Sequence, residues 1–506
     1  MKQLCLILGD QLSKSLTSIK AIDKANDIIL MAELQTEATY VKHHPQKIAF
    51  IFSAMRHFCS ELQGQGYQVM YIDYEHTFNQ GNFLDQVKWM MKEETISQIH
   101  ITEPGEYRLL SHIKTWQDQL SIPVHIHGDD RFIASHQDFK TWAKGKKSWV
   151  MEYFYRSLRK KTGLLMQDSK PFGGKWNFDH DNRKKWKKNL AFPKPLTFEQ
   201  DDITQNVLEL VQKHFSEHPG ALSDFNFAVT RKGALKALDF FIKHLLPSFG
   251  DHQDIMQIEE PFLYHSLLSG YINIGLLDPL EVCQKAEVAF NENHAPINAV
   301  EGFIRQILGW REFIRGIYWH FMPEYKLKSK QTHPYPLPNF FWNAQTNMRC
   351  LQESIGQTLE HAYAHHIQRL MVIGNFATLT NLDVEAVCNW YLSVYWDAFE
   401  WVELPNTQGM ALHADGGIVG TKPYISTGNY INRMSNYCQN CTYNVTSKIG
   451  ADACPFNYLY WNYLIKHEKS LKTNHRMGFA YKNLDRLDDE TKNTLKKQAD
   501  AFLKTL

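Results

Sequence analysis

The chain has 506 residues, 43% hydrophobic and 13% aromatic, and its 55 Lys/Arg against 54 Asp/Glu leave a formal net charge of +1. That length predicts two or three domains with sizeable cores, and the balanced charge excludes a polyanion binder acting through its overall field, so any basic surface must be local. No apolar run approaches bilayer-spanning length. In "MKQLCLILGDQL" Gly9-Asp10 interrupts the apolar stretch before a signal peptide can form. The eight cysteines are therefore expected as reduced thiols or metal ligands in a cytoplasmic protein.

In chain order, β-rich runs come first: "QLCLILG", "DIILMAEL", "KIAFIFS", "YQVMYIDY", "ISQIHIT" and "VHIHG". Of these "KIAFIFS" is the doubtful strand, because Ile51, Met55, Phe58 and Leu62 continue it at helical spacing. Amphipathic stretches such as "NFLDQVKWMMKEE" lie between the runs, and this alternation predicts a doubly wound parallel sheet over residues 1–135. Ligands of such sheets sit beyond the carboxyl ends of the strands, which here carry Gly9, Asp10, Gln11 and Glu33, with Glu37 close behind. No G-x-G-x-x-G is present, which argues against a dinucleotide on this sheet.

Residues 136–204 read as a basic inter-domain linker. Between 144 and 188 there are fourteen Lys/Arg against four Asp/Glu, interleaved with aromatics such as Trp149, Tyr155 and Trp176. Such a stretch is either a solvated connector or a phosphate-tracking surface. From 205 to 506 helical periodicity dominates, as in "VEGFIRQILGWREFIRGIYWHF" and "DVEAVCNWYLSVYWDAFEWV", predicting a large all-α domain. Aromatics crowd this half, with Trp342, Trp390, Tyr391, Tyr395, Trp396 and Trp401 the dense patch.

Two constellations carry chemistry. Cys438 and Cys441 are in C-x-x-C spacing and Cys454 follows after twelve residues. Zinc is the commoner occupant of such spacing. Pro455 directly after Cys454, however, is as at iron–sulfur ligands of bacterial ferredoxins, and no histidine lies between 436 and 457. The fourth ligand is then distant: Cys388 lies on an expected core face, whereas Cys350 stands at a helix entry and is the better choice. In "EHAYAHHIQRLM", His365 and His366 are placed on a helix about 100° apart, with Ala362 and Arg369 on the same stripes. Two imidazoles above an arginine suit acid–base work, although a satisfied structural histidine is the ordinary alternative. H-E-x-x-H and H-x-x-E-H are both absent.

With "LILGDQL", "HHPQKIAFIFSAMRHF", "HHIQRLMVIGNF", "YCQNC" and "ACPFN" in view, the whole chain resembles the photolyase/cryptochrome superfamily, in particular its iron–sulfur bacterial branch of prokaryotic (6-4) photolyases. The resemblance implies an antenna domain, a helical FAD domain and a [4Fe–4S] cluster on Cys350, Cys438, Cys441 and Cys454. It places FAD on Ser266, Ser269 and Tyr271 of a phosphate-binding turn, on Arg305, Trp310 and Arg311, on Arg369 beside the flavin ring, and on Glu403 and Asn406 near its reactive nitrogen. It implies photoreduction through Trp342, Trp390 and Tyr391. It also implies light-driven repair of (6-4) photoproducts in UV-damaged DNA, with a flipped-out lesion, His366 as a cationic proton donor, and His365 and Tyr424 positioning the lesion. The branch's antenna is 6,7-dimethyl-8-ribityllumazine, expected on Gly9, Asp10, Gln11 and Glu37, and Asp179 in the basic stretch is the residue to which a Mg²⁺ would be assigned. The chain is expected to act as a monomer without a membrane. Two readings compete: a blue-light cryptochrome without repair, and a zinc-stabilised, non-catalytic nucleic-acid-binding protein.

Overall fold

The structure, a computed structural model, describes residues 1–187, 192–329 and 334–506. Five parallel strands form one sheet: β1 (Lys2–Leu6), β2 (Ile28–Ala32), β3 (Gln68–Ile72), β4 (Ile96–Thr102) and β5 (Val124–His127), in the order β3-β2-β1-β4-β5. All of β2 and the last three residues of β1 are buried, as expected for strands covered on both faces. The order reverses at β1, so its carboxyl end is a topological switch point, where such sheets take ligands.

"KIAFIFS" is not a strand but lies within the helix Pro45–Gly64. The local reason is a helix start: Pro45 occupies the first turn, and the His44 side chain accepts a hydrogen bond from the Gln46 amide at 3.1 Å. This helix also joins the two halves of the molecule. The His44 amide donates to Ser393 O at 2.8 Å, Gln46 Nε2 to Glu360 O at 2.9 Å, and Lys47 Nζ to Leu392 O at 3.0 Å. Lys47 is 2% exposed, so these hydrogen bonds compensate groups that burial would otherwise leave costly.

Residues 136–204, read as a linker, hold the helices His136–Ala143 and Met151–Thr162 and a short hairpin. Met151, Phe154, Tyr155 and Leu158 recur every three or four residues and are buried, so the amphipathic period outweighs the charge count there. The remainder is helical, and four segments widen to i→i+5 geometry: Phe241–Leu245, Arg305–Arg311, Gln368–Gly374 and Pro405–Ala411. π-Helical turns of this kind concentrate at functional sites. Two of them touch: a Cβ on Gly374 would stand 2.9 Å from that of Ala411, so a larger residue there would force the segments apart. Among the described residues no helix is long and apolar enough to cross a membrane.

Candidate functional site

The carboxyl ends of β1 and β2 open into a cavity of about 750 Å³ lined by Gly9, Asp10 and Glu37, as well as Tyr40, Lys47 and Glu106. Burial raises the Asp10 carboxyl to about 6, with Arg131 opposing. Glu37 forms a fork with Arg108 at 2.7 and 3.1 Å. Gln11 is displaced from the expected contact set. It is fully buried and braces the strand ends, accepting from the Leu8 amide and donating to Thr102 O and Glu103 O. Lys47 lies in the helix Pro45–Gly64, within the stretch that also reads as a strand, whereas Tyr40 and His43 lie in the turn before that helix, where no periodicity marks them.

A second cavity, of about 790 Å³, lies in the helical half and is lined by Ser266, Tyr271, His265, Tyr363 and Trp396 among others. The ring nitrogens Nε2 of His265 and Nε1 of Trp396 are buried without a hydrogen-bond partner, as are His365 Nε2 and Glu403 Oε1. Orphaned donors and acceptors of this kind call for a polar ligand. Beside the cavity stands an ion pair, Arg369 to Asp397 at 3.0 Å. Ser269 Oγ donates to Asp397 at 2.6 Å, and Arg369 lies 3.7 Å from the Tyr395 ring centre. Burial pushes Glu403 up to about 8, so its carboxyl is neutral at pH 7. Asn406 is turned back onto its own helix, donating to Val402 O at 2.8 Å.

Arg305, Trp310 and Arg311 do not converge. Arg305 pairs with Asp179 and with Glu301. Trp310 packs on Phe313. Arg311 pairs with Glu312 at 2.8 Å and lies over Phe132 and Trp401 between the two halves of the molecule. Three residues on one π-turn point outward in different directions, so a shared sequence stretch did not mean a shared site. Asp179 is held by both Arg183 and Arg305; two guanidiniums already neutralise its carboxylate, which removes the case for Mg²⁺.

The histidine pair is not inside one helix. The helix Arg349–His361 ends at Ala362, which is left-handed (φ 51°), and His365 and His366 stand where the next helix begins. His365 is buried, its ring stacked on His265 at 4.5 Å and its Nδ1 accepting from the Ile367 amide. His366 is exposed. Desolvation, then the charges of Arg369 and Arg183, lower its pKa to about 4. The two guanidiniums disfavour imidazolium. The expectation of a cationic His366 is thus not met in the ligand-free chain. Tyr424 is half-buried, and both Arg476 and Arg183 act on its hydroxyl. Arg183 therefore joins His366 and Tyr424 on one open face. It lies in the basic stretch, 183 residues before His366, and only local charge density marks it.

Trp390 is fully buried and packs on Tyr391 at 5.4 Å and on Tyr395 at 5.9 Å. Its indole donates to Phe341 O at 2.9 Å, and the next residue, Trp342, is 42% exposed. Tyr391 OH donates to Arg369 O at 2.6 Å. The aromatic line thus leads from the surface to the Arg369–Asp397 pair.

Cys350 is the second residue of the helix Arg349–His361 and Cys454 the N-cap of the helix Pro455–Lys466. Burial, then the charges of Cys454, Cys438 and Cys441, raise the Cys350 thiol, so the four sulfurs face one another. Burial takes Cys438 to about 12 and Cys454 to about 11. Cys388 is elsewhere, near Glu403 and Lys326.

A parallel α/β domain joined to a helical domain with a buried ligand cavity is the architecture of photolyases and cryptochromes. Solved structures agree in fold: a class III photolyase from Agrobacterium tumefaciens superposes with a TM-score of 0.59 at 15% identity, covering 100% of this chain and 98% of that one. A Synechocystis cryptochrome gives 0.55 at 14%, covering 87% and 89%. Residues 5–227 match the family model "Deoxyribodipyrimidine photo-lyase-related protein". A (6-4) photolyase of Agrobacterium fabrum is 50% identical over 506 residues, all of both chains, and this chain belongs to that photolyase family.

Proposed function

We propose that this chain repairs (6-4) photoproducts in UV-damaged DNA under light. The observation that carries the reading is the meeting of His366, Tyr424 and Arg183 on an open face that shares Arg369 with the Asp397 pair. The second cavity fits FAD: Ser266 and Tyr271 line it, and the unpaired nitrogens of His265 and Trp396 supply polar contacts. Bound there in its reduced form, FAD would supply the electron that starts cleavage of the lesion. Arg369 fixes negative charge beside the ring, Glu403 offers a neutral carboxyl as a hydrogen-bond donor, and Trp342, Trp390 and Tyr391 pass electrons inward from the surface. His366 transfers the proton at its imidazole, while buried His365 holds the start of the helix that carries it.

Four thiols that act on one another fit a multi-iron cluster, in which each sulfur serves a different iron, and Pro455 directly after Cys454 favours that cluster over one tetrahedral zinc. The cavity at the strand ends suits a polar ring system such as ribityl-lumazine. Illuminated, flavin-loaded protein is expected to restore a (6-4)-containing oligonucleotide, and His366→Ala is expected to abolish that turnover while leaving photoreduction intact. Unchanged repair by His366→Ala would remove the acid assignment.

A further inference from the structure

We propose that an exposed ridge formed by Arg476, Phe479 and Lys482 is the second rim of the lesion face, and that Phe479 enters a DNA duplex to fill the space an extruded lesion leaves. The proposal rests on the photolyase reading and adds how the duplex, as opposed to the lesion, is held.

The turn His475–Met477 runs into the helix Gly478–Leu484. Met477, Tyr481 and Leu484 are buried, so Arg476, Phe479 and Lys482 form the outward stripe. Phe479 is 80% exposed, in a chain that encloses nearly all its other large aromatics. The ridge is fastened to the site. Asn474 Nδ2 donates to Thr421 O, and Arg476 Nη1 to Thr421 Oγ1, each at 2.9 Å. Thr421 lies three residues before Tyr424, on whose hydroxyl Arg476 and Arg183 both act. Among the described residues Arg476 has no carboxylate partner, whereas the neighbouring Lys472 is engaged by Glu468 and Asp485. Across the face, Arg183, Lys185 and Lys187 are exposed. Two cationic rims with an aromatic in one of them match the phosphates and bases of a duplex. An apolar side chain inserted at a base step is a recurrent way of holding unstacked DNA.

The test compares the full-length holoprotein with Phe479→Ala, Phe479→Trp and Arg476→Ala. Binding is measured to a labelled duplex carrying one (6-4) photoproduct and to the same lesion in a single strand. Phe479→Ala is expected to weaken duplex binding about tenfold or more and to leave single-strand binding within about twofold, with Phe479→Trp restoring the duplex value. Arg476→Ala should weaken both and reduce the salt dependence by about one phosphate contact. Equal losses on both substrates, or no loss with Phe479→Ala, would overturn the wedge while wild-type repair still stands. Failure of the wild type to bind either substrate would instead remove the photolyase reading, and this proposal with it.

Discussion

In the ligand-free chain His366 stands near Arg369 and Arg183, and its pKa is lowered to about 4. A lesion phosphate and an anionic ring would offset those cations and raise it, so binding must draw a proton from solution at pH values between the free and bound pKa. Calorimetry in buffers of different ionisation enthalpy should register proton uptake near pH 6, and affinity should fall as pH rises through the bound-state value. His366→Ala should bind without uptake. Glu403 gives the opposite linkage. Its folded pKa, about 8, lies above the ordinary carboxylate value because it is buried. The native state therefore holds a proton that the unfolded chain has lost, and stability drains away as pH rises from about 4.5 to about 8. Glu403→Gln mimics the neutral form. Urea unfolding at pH 4 should find it close to wild type, at pH 6 more stable than wild type by roughly 2 kcal/mol, and at pH 9 by up to roughly 5 kcal/mol. Equal stabilities at pH 9 would mean that the carboxyl is already solvated.

The elements explain which residues were legible. The parallel strands β1, β2, β4 and β5 stand out as β-branched and leucine runs, and the C-x-x-C…C-P spacing marks its own chemistry. The start of the helix Pro45–Gly64 was harder, since Ile48, Phe50 and Phe52 fit period two as well as a buried helix, and only the Pro45 start and the longer register separate the two. The histidine pair was misplaced because Ala362 is among the best helix formers and gives no sign of its left-handed turn. Nor does sequence announce π-turns, which is why Arg305 and Arg311 were grouped although they face different partners. The cysteines tie the start of the helix Arg349–His361 to the segment 438–454. Replacing Cys350 with Ser is expected to release the iron and to expose the C-terminal helices, because metal binding and folding are linked in such sites. Iron analysis and limited proteolysis check this together; full iron retention would place the fourth ligand elsewhere.

At the scale of the molecule, the two halves are joined by the HHPQK segment, whose His44, Gln46 and Lys47 bond to carbonyls of the helical domain. Burial holds His44 down to about 4, so the joint is firm above about pH 6.5 and weakens as pH falls toward 4. The same helix lines the cavity at the strand ends, where Ala38 is 4% exposed. Ala38→Trp should fill that cavity, remove antenna absorbance and leave repair under direct flavin excitation; unchanged antenna content would move the chromophore to another place. Sequence hides the purpose of this joint, because its partners lie more than 300 residues away and are backbone carbonyls that carry no sequence signal. The central claim is that the helical domain holds a flavin whose light-driven electron repairs (6-4) damage with His366 as acid. The most direct measurement is product formation from a (6-4)-containing oligonucleotide by anaerobically purified holoprotein, lit and dark, with flavin and iron quantified in the same sample. The account predicts about one flavin and about four irons per chain, with repair in light alone. Zinc in place of iron without flavin, or flavin-loaded protein that leaves the lesion intact under illumination, would contradict it.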